Sequence, residues 1–201
     1  MIVIAVGANL PGPGGTPLQN CEAALAALQA RGVRVKKRSR WYRSPPWIPQ
    51  TPGPPENRKT PGGASQPEPP KQPWYVNGVA IIETMLDAPA LLAMLHQIEA
   101  QFGRVRNAGM ANAARPLDLD LIDYNGQVRR QDPPILPHPR MATRAFVIKP
   151  LAEIAPDWRH PESGRRAKDL AAALPPDAVA EPMEAPAETP GSGPAGAGKT
   201  H

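Results

Sequence analysis

Proline decides what this chain can fold into. Of its 29 prolines, eleven fall between positions 45 and 73 and six more lie from position 175 onward. Each one lacks an amide donor and holds φ at about −65°, so neither stretch can run through the interior of a helix or sheet. Residues 48–74 also carry almost no apolar side chains and cannot bury enough surface to order themselves. A long mobile loop or a semi-rigid polyproline stretch is expected there. The remaining residues are apolar enough for one core, since hydrophobic types make up 41% of the 201 residues. The expected organisation is one globular domain over 1–174, interrupted by the insertion at 48–74 and followed by a disordered acidic tail at 175–201.

Within the domain, residues 2–6 form a short apolar run ending at Gly7 and read as a buried strand. Thr16, Pro17 and Gln19 make a capping box with proline at the first helical position. Cys21, Leu25 and Leu28 follow at helical spacing, and Gly32 stands where the helix should stop. Residues 33–42 alternate apolar and basic side chains, which predicts one half-exposed strand. Residues 75–84 read as another strand, and Asp87 caps a helix with the stripe Leu91, Leu95, Ile98, Phe102. Residues 117–124 alternate strictly at first. The Asn125-Gly126 pair then predicts a hairpin whose second strand spans 127–130. Residues 144–154 and 165–174 read as helices. Strands outnumber long helices and include a hairpin, so an α+β fold is expected rather than a doubly wound parallel sheet.

Several function classes drop out. No apolar run approaches the roughly 20 residues that span a bilayer. The N-terminus has no basic region before its short apolar run, so no signal peptide is expected. A single cysteine, Cys21, cannot close an internal disulfide, and a reducing cytoplasm is the expected compartment. The net charge of +5 understates the body, because Asp177, Glu181, Glu184 and Glu188 outweigh Lys199 in the tail. A basic body suits an anionic ligand such as a nucleotide, a phosphate or a nucleic acid.

The arrangement of charges narrows that choice. In Arg115-Pro-Leu-Asp118-Leu-Asp120, strand alternation puts both carboxylates on one face, about 7 Å apart, with the leucines on the other. Two carboxylates on a core strand are costly without a cation, and hard Mg2+ suits them, completing its octahedron with water and phosphate oxygens. Arg104 and Arg106 precede the strand in a basic loop, and Arg115 ends that loop. Guanidinium groups offer forked donors that fit phosphate. His138 sits between two prolines, with Arg140, Arg144 and Phe146 beyond it. His96 and Glu99 are expected to share a helix face away from the Leu91/Leu95 stripe. Residues 193–200, GPAGAGKT, satisfy the phosphate-loop pattern letter for letter. They have no preceding strand and no following helix, so no function is expected there.

These blocks together resemble the 6-hydroxymethyl-7,8-dihydropterin pyrophosphokinases. The resemblance rests on VGANL near the start, on Tyr42-Arg-Ser44-Pro45-Pro46-Trp47, and on Tyr75-Val-Asn77. It continues through the segment from Glu99 to Arg106, the RPLDLDLIDYNG block and LPHPRMATRAFVIKPLAEIAPDW. It implies a ferredoxin-like α+β sandwich with mobile loops over the active site, working as a monomer. The implied activity is transfer of pyrophosphate from ATP to the pterin hydroxymethyl group, with AMP released. By that resemblance Asp118 and Asp120 hold two Mg2+ ions, and Arg104 and Arg115 are catalytic. His96, Glu99, Arg106, His138 and Arg144 line the ATP site. Ser44, Pro45, Trp47, Tyr75, Asn77 and Phe146 hold the pterin.

Two other readings stay open on sequence alone. Basic residues Arg34, Lys36, Lys37, Arg38 and Arg40 suit a nucleic-acid-binding module, against which the aspartate pair repels phosphate when no metal is bound. The proline-rich stretch suits an adaptor for SH3-like partners.

Overall fold

A computed structural model describes residues 1–46, 72–104 and 113–184. The apolar run at the start becomes strand β1 (Ile2–Ala8), and helix α1 (Pro17–Gln29) follows from the capping box. Thr16 Oγ1 accepts from the Gln19 amide at 3.3 Å, and Gln19 Oε1 accepts from the Thr16 amide at 2.9 Å. Then come β2 (Arg34–Arg38), β3 (Tyr42–Ser44), β4 (Tyr75–Glu83) and helix α2 (Ala88–Gln101). Asp87 caps α2 by accepting from the Ala90 amide at 2.8 Å. Gly103, at φ +83°, stops that helix in a conformation glycine adopts without strain. Strand β5 (Asp118–Tyr124) precedes helices α3 (Ala145–Ile154) and α4 (Ala167–Ala172). A two-residue strand, β6 (Glu181–Pro182), comes last.

The strands form one antiparallel sheet in the order β5-β1-β4-β3-β6, with β2 also paired to β4. In chain order β1-α1-β2-β3-β4-α2-β5 follows a split β-α-β pattern, with three strands between the two helices, so the expected α+β fold is what forms. One face is apolar along its length. Ile4 and Val6 of β1, Ile82 of β4 and Leu119 of β5 pack there on Leu25, Leu28, Leu91 and Leu95 of the first two helices. The other face is divided. Val3, Val79 and Ile122 lie under Val147, Ile148 and Leu151 of α3, and beyond them the same face turns polar. That polar end carries the chemistry described below.

The structure departs from the sequence expectations at three places in the fold. Residues 33–42 are two strands, not one. The chain breaks at Ser39, whose amide donates to Val79 O at 2.9 Å while its hydroxyl accepts from the Val79 amide at 3.0 Å. That break turns Trp41 onto Gly78, where an added Cβ would come within 2.8 Å of two ring atoms. Gly78→Ala is therefore expected to destabilise the fold by about 1–3 kcal/mol through overpacking. Thermal unfolding would show it, and an unchanged midpoint would mean that the indole has room to move.

The second departure is the hairpin. Asn125 and Gly126 do turn, at φ 53° and 70°, but the returning chain pairs only once, between Arg129 and Leu136. The reason is that the outer edge of β5 is already taken, since the His138 amide donates to Ile122 O at 2.9 Å. Asn125 instead holds the chain start, its side chain accepting from the Met1 amino group at 2.8 Å. Third, the segment after Pro175 is not structureless throughout. Through β6 it pairs with β3, placing Pro182 opposite Tyr42 and Glu181 opposite Arg43, and Ala180 is buried. Sparse apolar content hid this, because an edge strand needs only backbone donors and acceptors to extend a sheet.

Candidate active site

The polar end of the second face is a cleft built from four elements. β5 supplies Asp118 and Asp120, which pair across β1 with Gly7 and Ala5. Because β1 offers only small residues there, the carboxylates stand over a shallow floor shared with Asn77 of β4. A Cβ on Gly7 would come within 2.8 Å of Asn77 Oδ1, so the glycine makes the space in which that amide lies. Asn77 Nδ2 donates to Ser44 Oγ of β3 at 2.9 Å. That bond fixes the orientation of the Asn77 amide, a side chain that lines the cleft. Tyr75, Pro45 and Phe146 complete one wall.

The other end of the cleft is cationic, lined by Arg104, Arg115, Arg140 and Arg144. Arg104 Nη1 donates to both Glu99 and Asp118. Arg115 Nη1 donates to Asp118 Oδ1 at 3.1 Å. Arg144, at the start of α3, brings Nη1 to 3.7 Å from Asp120 Oδ2, and its guanidinium carbon lies 5.4 Å from the Phe146 ring centroid. Burial pushes the Asp120 carboxyl up to about 7, with the neighbouring Asp118 charge adding to the effect. His138 is pulled down to about 4 by burial and then by Arg144 and Arg140. Its Nδ1 accepts from the Arg140 amide at 3.3 Å, so the neutral ring carries its proton on Nε2, 3.9 Å from Asp120 Oδ2.

Of the residues singled out in the sequence, ten come together here: Ser44, Pro45, Tyr75, Asn77, Arg104, Arg115, Asp118, Asp120, Arg144 and Phe146. His138 adjoins them through Asp120. Trp47 and Arg106 lie outside the described residues. His96 is half-buried on α2 and does not line the cleft. Glu99 was expected on a face away from the apolar stripe, and the structure corrects this. Glu99 is fully buried with Leu95 and Ile98, where its carboxylate accepts from Arg104 and, at 2.8 Å, from the Leu119 amide. Two charge-assisted partners offset the cost of burying it. Arg104, at the head of the basic loop, has both its backbone and its side chain tied to Glu99.

Sequence reasoning gave Arg140 no role and missed Asn9. Arg140, two residues beyond His138, lines the cleft. Buried Asn9 accepts from the Arg115 amide at 2.7 Å and donates to Pro73 O at 3.2 Å, so one side chain fixes where two long loops return. An Asn just past the glycine-bearing strand end was its only trace in the sequence.

Comparison with known proteins agrees with this geometry. Residues 3–156 match the family described as 7,8-dihydro-6-hydroxymethylpterin-pyrophosphokinase (HPPK). A 2-amino-4-hydroxy-6-hydroxymethyldihydropteridine pyrophosphokinase from Synechocystis is 38% identical, over 81% of this chain and 70% of that protein. The enzyme of the same name from Pseudomonas aeruginosa is 34% identical, over 87% of this chain and 91% of that protein. The crystal structure of Plasmodium falciparum HPPK-DHPS superimposes with a TM-score of 0.57 at 12% identity. It covers 85% of this chain but only 44% of that longer one, and it speaks to the fold alone. By the extent of the family match and the identity to these relatives, the chain belongs to the 7,8-dihydro-6-hydroxymethylpterin-pyrophosphokinase family.

Proposed function

We propose that this chain transfers the terminal diphosphoryl group of ATP to the hydroxymethyl oxygen of 6-hydroxymethyl-7,8-dihydropterin in folate synthesis. AMP as the leaving group puts the attack on the β-phosphorus: the new bond joins that atom to the pterin oxygen, and the bond to the α-phosphate oxygen breaks. The carrying observation is a single cleft with a paired-carboxylate, four-arginine end and an aromatic, amide-lined end. The first end suits a triphosphate and the second a flat bicyclic ring. Tyr75 and Phe146 would take the ring faces, and Asn77, oriented by Ser44, would read the ring edge. Pro45 supplies wall.

Asp118 and Asp120 fit Mg2+. They are hard oxygen donors, and no group of three or more metal-ligating side chains gathers among the described residues. A pair of carboxylates suits an ion that takes its other ligands from water and phosphate. When bound, Mg2+ would neutralise the triphosphate and orient it for in-line displacement. Arg104 and Arg115 would spread the charge that grows as the bond to AMP breaks. Arg144 and His138 flank Asp120, and we assign them with Arg140 to the nucleotide side.

Against the nucleic-acid reading, basic residues of β2 and its exit have partners within the chain. Lys36 pairs with Glu83 at 3.1 Å, Lys37 donates to Ile154 O at 2.7 Å, Arg38 lies 4.8 Å from the Trp41 ring, and Arg40 pairs with Glu153 at 3.3 Å. The described residues include no helix long and apolar enough to cross a membrane. The lone cysteine is buried and its thiol pushed up by that burial, which leaves it unreactive.

Chromatographic detection of AMP tests the reading. AMP is expected only when ATP, the pterin and a divalent cation are all present, and chelation with EDTA should abolish it. AMP formed at the same rate without the pterin would overturn the assignment.

A further inference from the structure

The segment 175–184 lies beyond the region matched by the family, which ends at residue 156. It touches the site's aromatic end from behind. Its strand, β6, covers the free edge of β3, the strand that carries Ser44. The Met183 amide donates to Trp41 O at 2.7 Å, and the Met183 side chain packs on the core beneath the first two helices. On the other side of the sheet, Ala180 is buried with Tyr42 and Ala145, and Phe146, Leu174 and Ala178 pack against them. Lys149 of α3 closes the connection, its Nζ donating to Ala178 O at 3.1 Å and Ala180 O at 3.5 Å.

Phe146 has particular need of such backing. Pro150 sits inside α3 and lacks the amide hydrogen that would reach the Phe146 carbonyl four residues earlier. The turn bearing Phe146 therefore depends more on what packs behind it than an ordinary first turn does. Ser44 has a similar need, because β3 is three residues long and without β6 would be the sheet's edge.

We propose that residues 175–183 are a strap that positions the pterin side of the site, acting through β3 and Phe146, with Lys149 as the positioning residue that fastens it. The proposal rests on the pyrophosphokinase reading and extends it. The strap shares a cavity with Arg144 as well as with Pro45 and Phe146. Its packing and hydrogen bonds, however, fall on β3, Ala145, Phe146 and Lys149 and on none of Asp118, Asp120, Arg104 or Arg115, so its effect should fall mainly on the pterin.

Steady-state kinetics of three variants test this, with ATP and pterin each varied. A chain ended after Glu184 keeps the strap and is expected to match the full chain. A chain ended after Leu174 is expected to raise the pterin KM about tenfold or more, with the ATP KM within about twofold. Lys149→Met, which keeps the aliphatic stem but loses both hydrogen bonds, should raise the pterin KM roughly three- to tenfold. Equal rises for both substrates, no rise at all, or the same loss in the chain ended after Glu184 would each overturn the strap. If the shortest chain does not fold, Lys149→Met decides alone. A full chain that makes no pterin-dependent AMP defeats the reaction instead, an outcome distinct from an active full chain whose pterin KM ignores these changes.

Discussion

Asp118→Ala is expected to abolish turnover, lowering kcat/KM on the order of 10³-fold or more. A metal bridge to phosphate contributes several kcal/mol of transition-state stabilisation, and each factor of ten corresponds to about 1.4 kcal/mol. Asp118 also accepts from both arginines proposed as catalytic, so its loss removes a proposed metal ligand and leaves Arg104 and Arg115 without their shared anchor. Asp120→Ala removes the second ligand but keeps that anchor. It should be severe and somewhat milder than Asp118→Ala. Asp120→Ala should not lower the thermal midpoint of the metal-free protein, because that side chain is partly exposed and its replacement relieves the repulsion from Asp118. Asp118→Ala, by contrast, takes an acceptor from two largely buried guanidinium groups and should lower the midpoint while leaving the protein folded. Rapid-quench measurement of the chemical step, beside a melting curve, separates these effects. Near-normal turnover in either variant would sink the metal assignment.

Glu99→Leu should act in the opposite way, through stability first. The Glu99 side chain is 1% exposed and accepts from the Leu119 amide and the Arg104 guanidinium. Breaking a buried, hydrogen-bonded ion pair costs about 3–5 kcal/mol, because the partner groups stay buried. At roughly 2–4 °C per kcal/mol for a protein of this size, the midpoint should fall by roughly 6–20 °C. Glu99→Gln keeps an acceptor for Leu119 and should lose less. Differential scanning calorimetry reads both. If Glu99→Gln left the midpoint unchanged and selectively raised the ATP KM, Glu99 would be a nucleotide ligand after all.

What could be read from the sequence was what depends on near neighbours in the chain. The capping box at Thr16 and the Asp87 cap are each settled within four residues, and both stand as expected. The alternation that sets Asp118 and Asp120 on one face is equally local. The features that escaped depend on distant partners. The break at Ser39 needs Val79 and the space at Gly78. The burial of Glu99 needs an amide from β5, and Asn9 acts on residues 64 and 106 positions away. β6 is two residues long in a stretch whose composition argues for disorder, and only the open edge of β3 gives it a place. The resemblance to the family located most of the cleft without any of these contacts. It carried no information on how Glu99 is seated or where the chain goes after Pro175.

The place of β1 between β5 and β4 has a consequence for how the protein is made. β1 leaves the ribosome well before either of its neighbours: β4 begins at Tyr75 and β5 at Asp118. At translation rates of about 5–20 residues per second, a nascent β1 waits roughly 3–13 s for its first partner and several seconds more for its second. Throughout that time an apolar strand presents two open edges. The proline-rich stretch at 48–74 lengthens the wait by roughly 1–5 s at the same rates. Its own composition supplies no strand that could pair wrongly with β1 meanwhile. Shortening that stretch should thus close the sheet sooner on the ribosome, while replacing its prolines with β-branched residues should increase aggregation during synthesis.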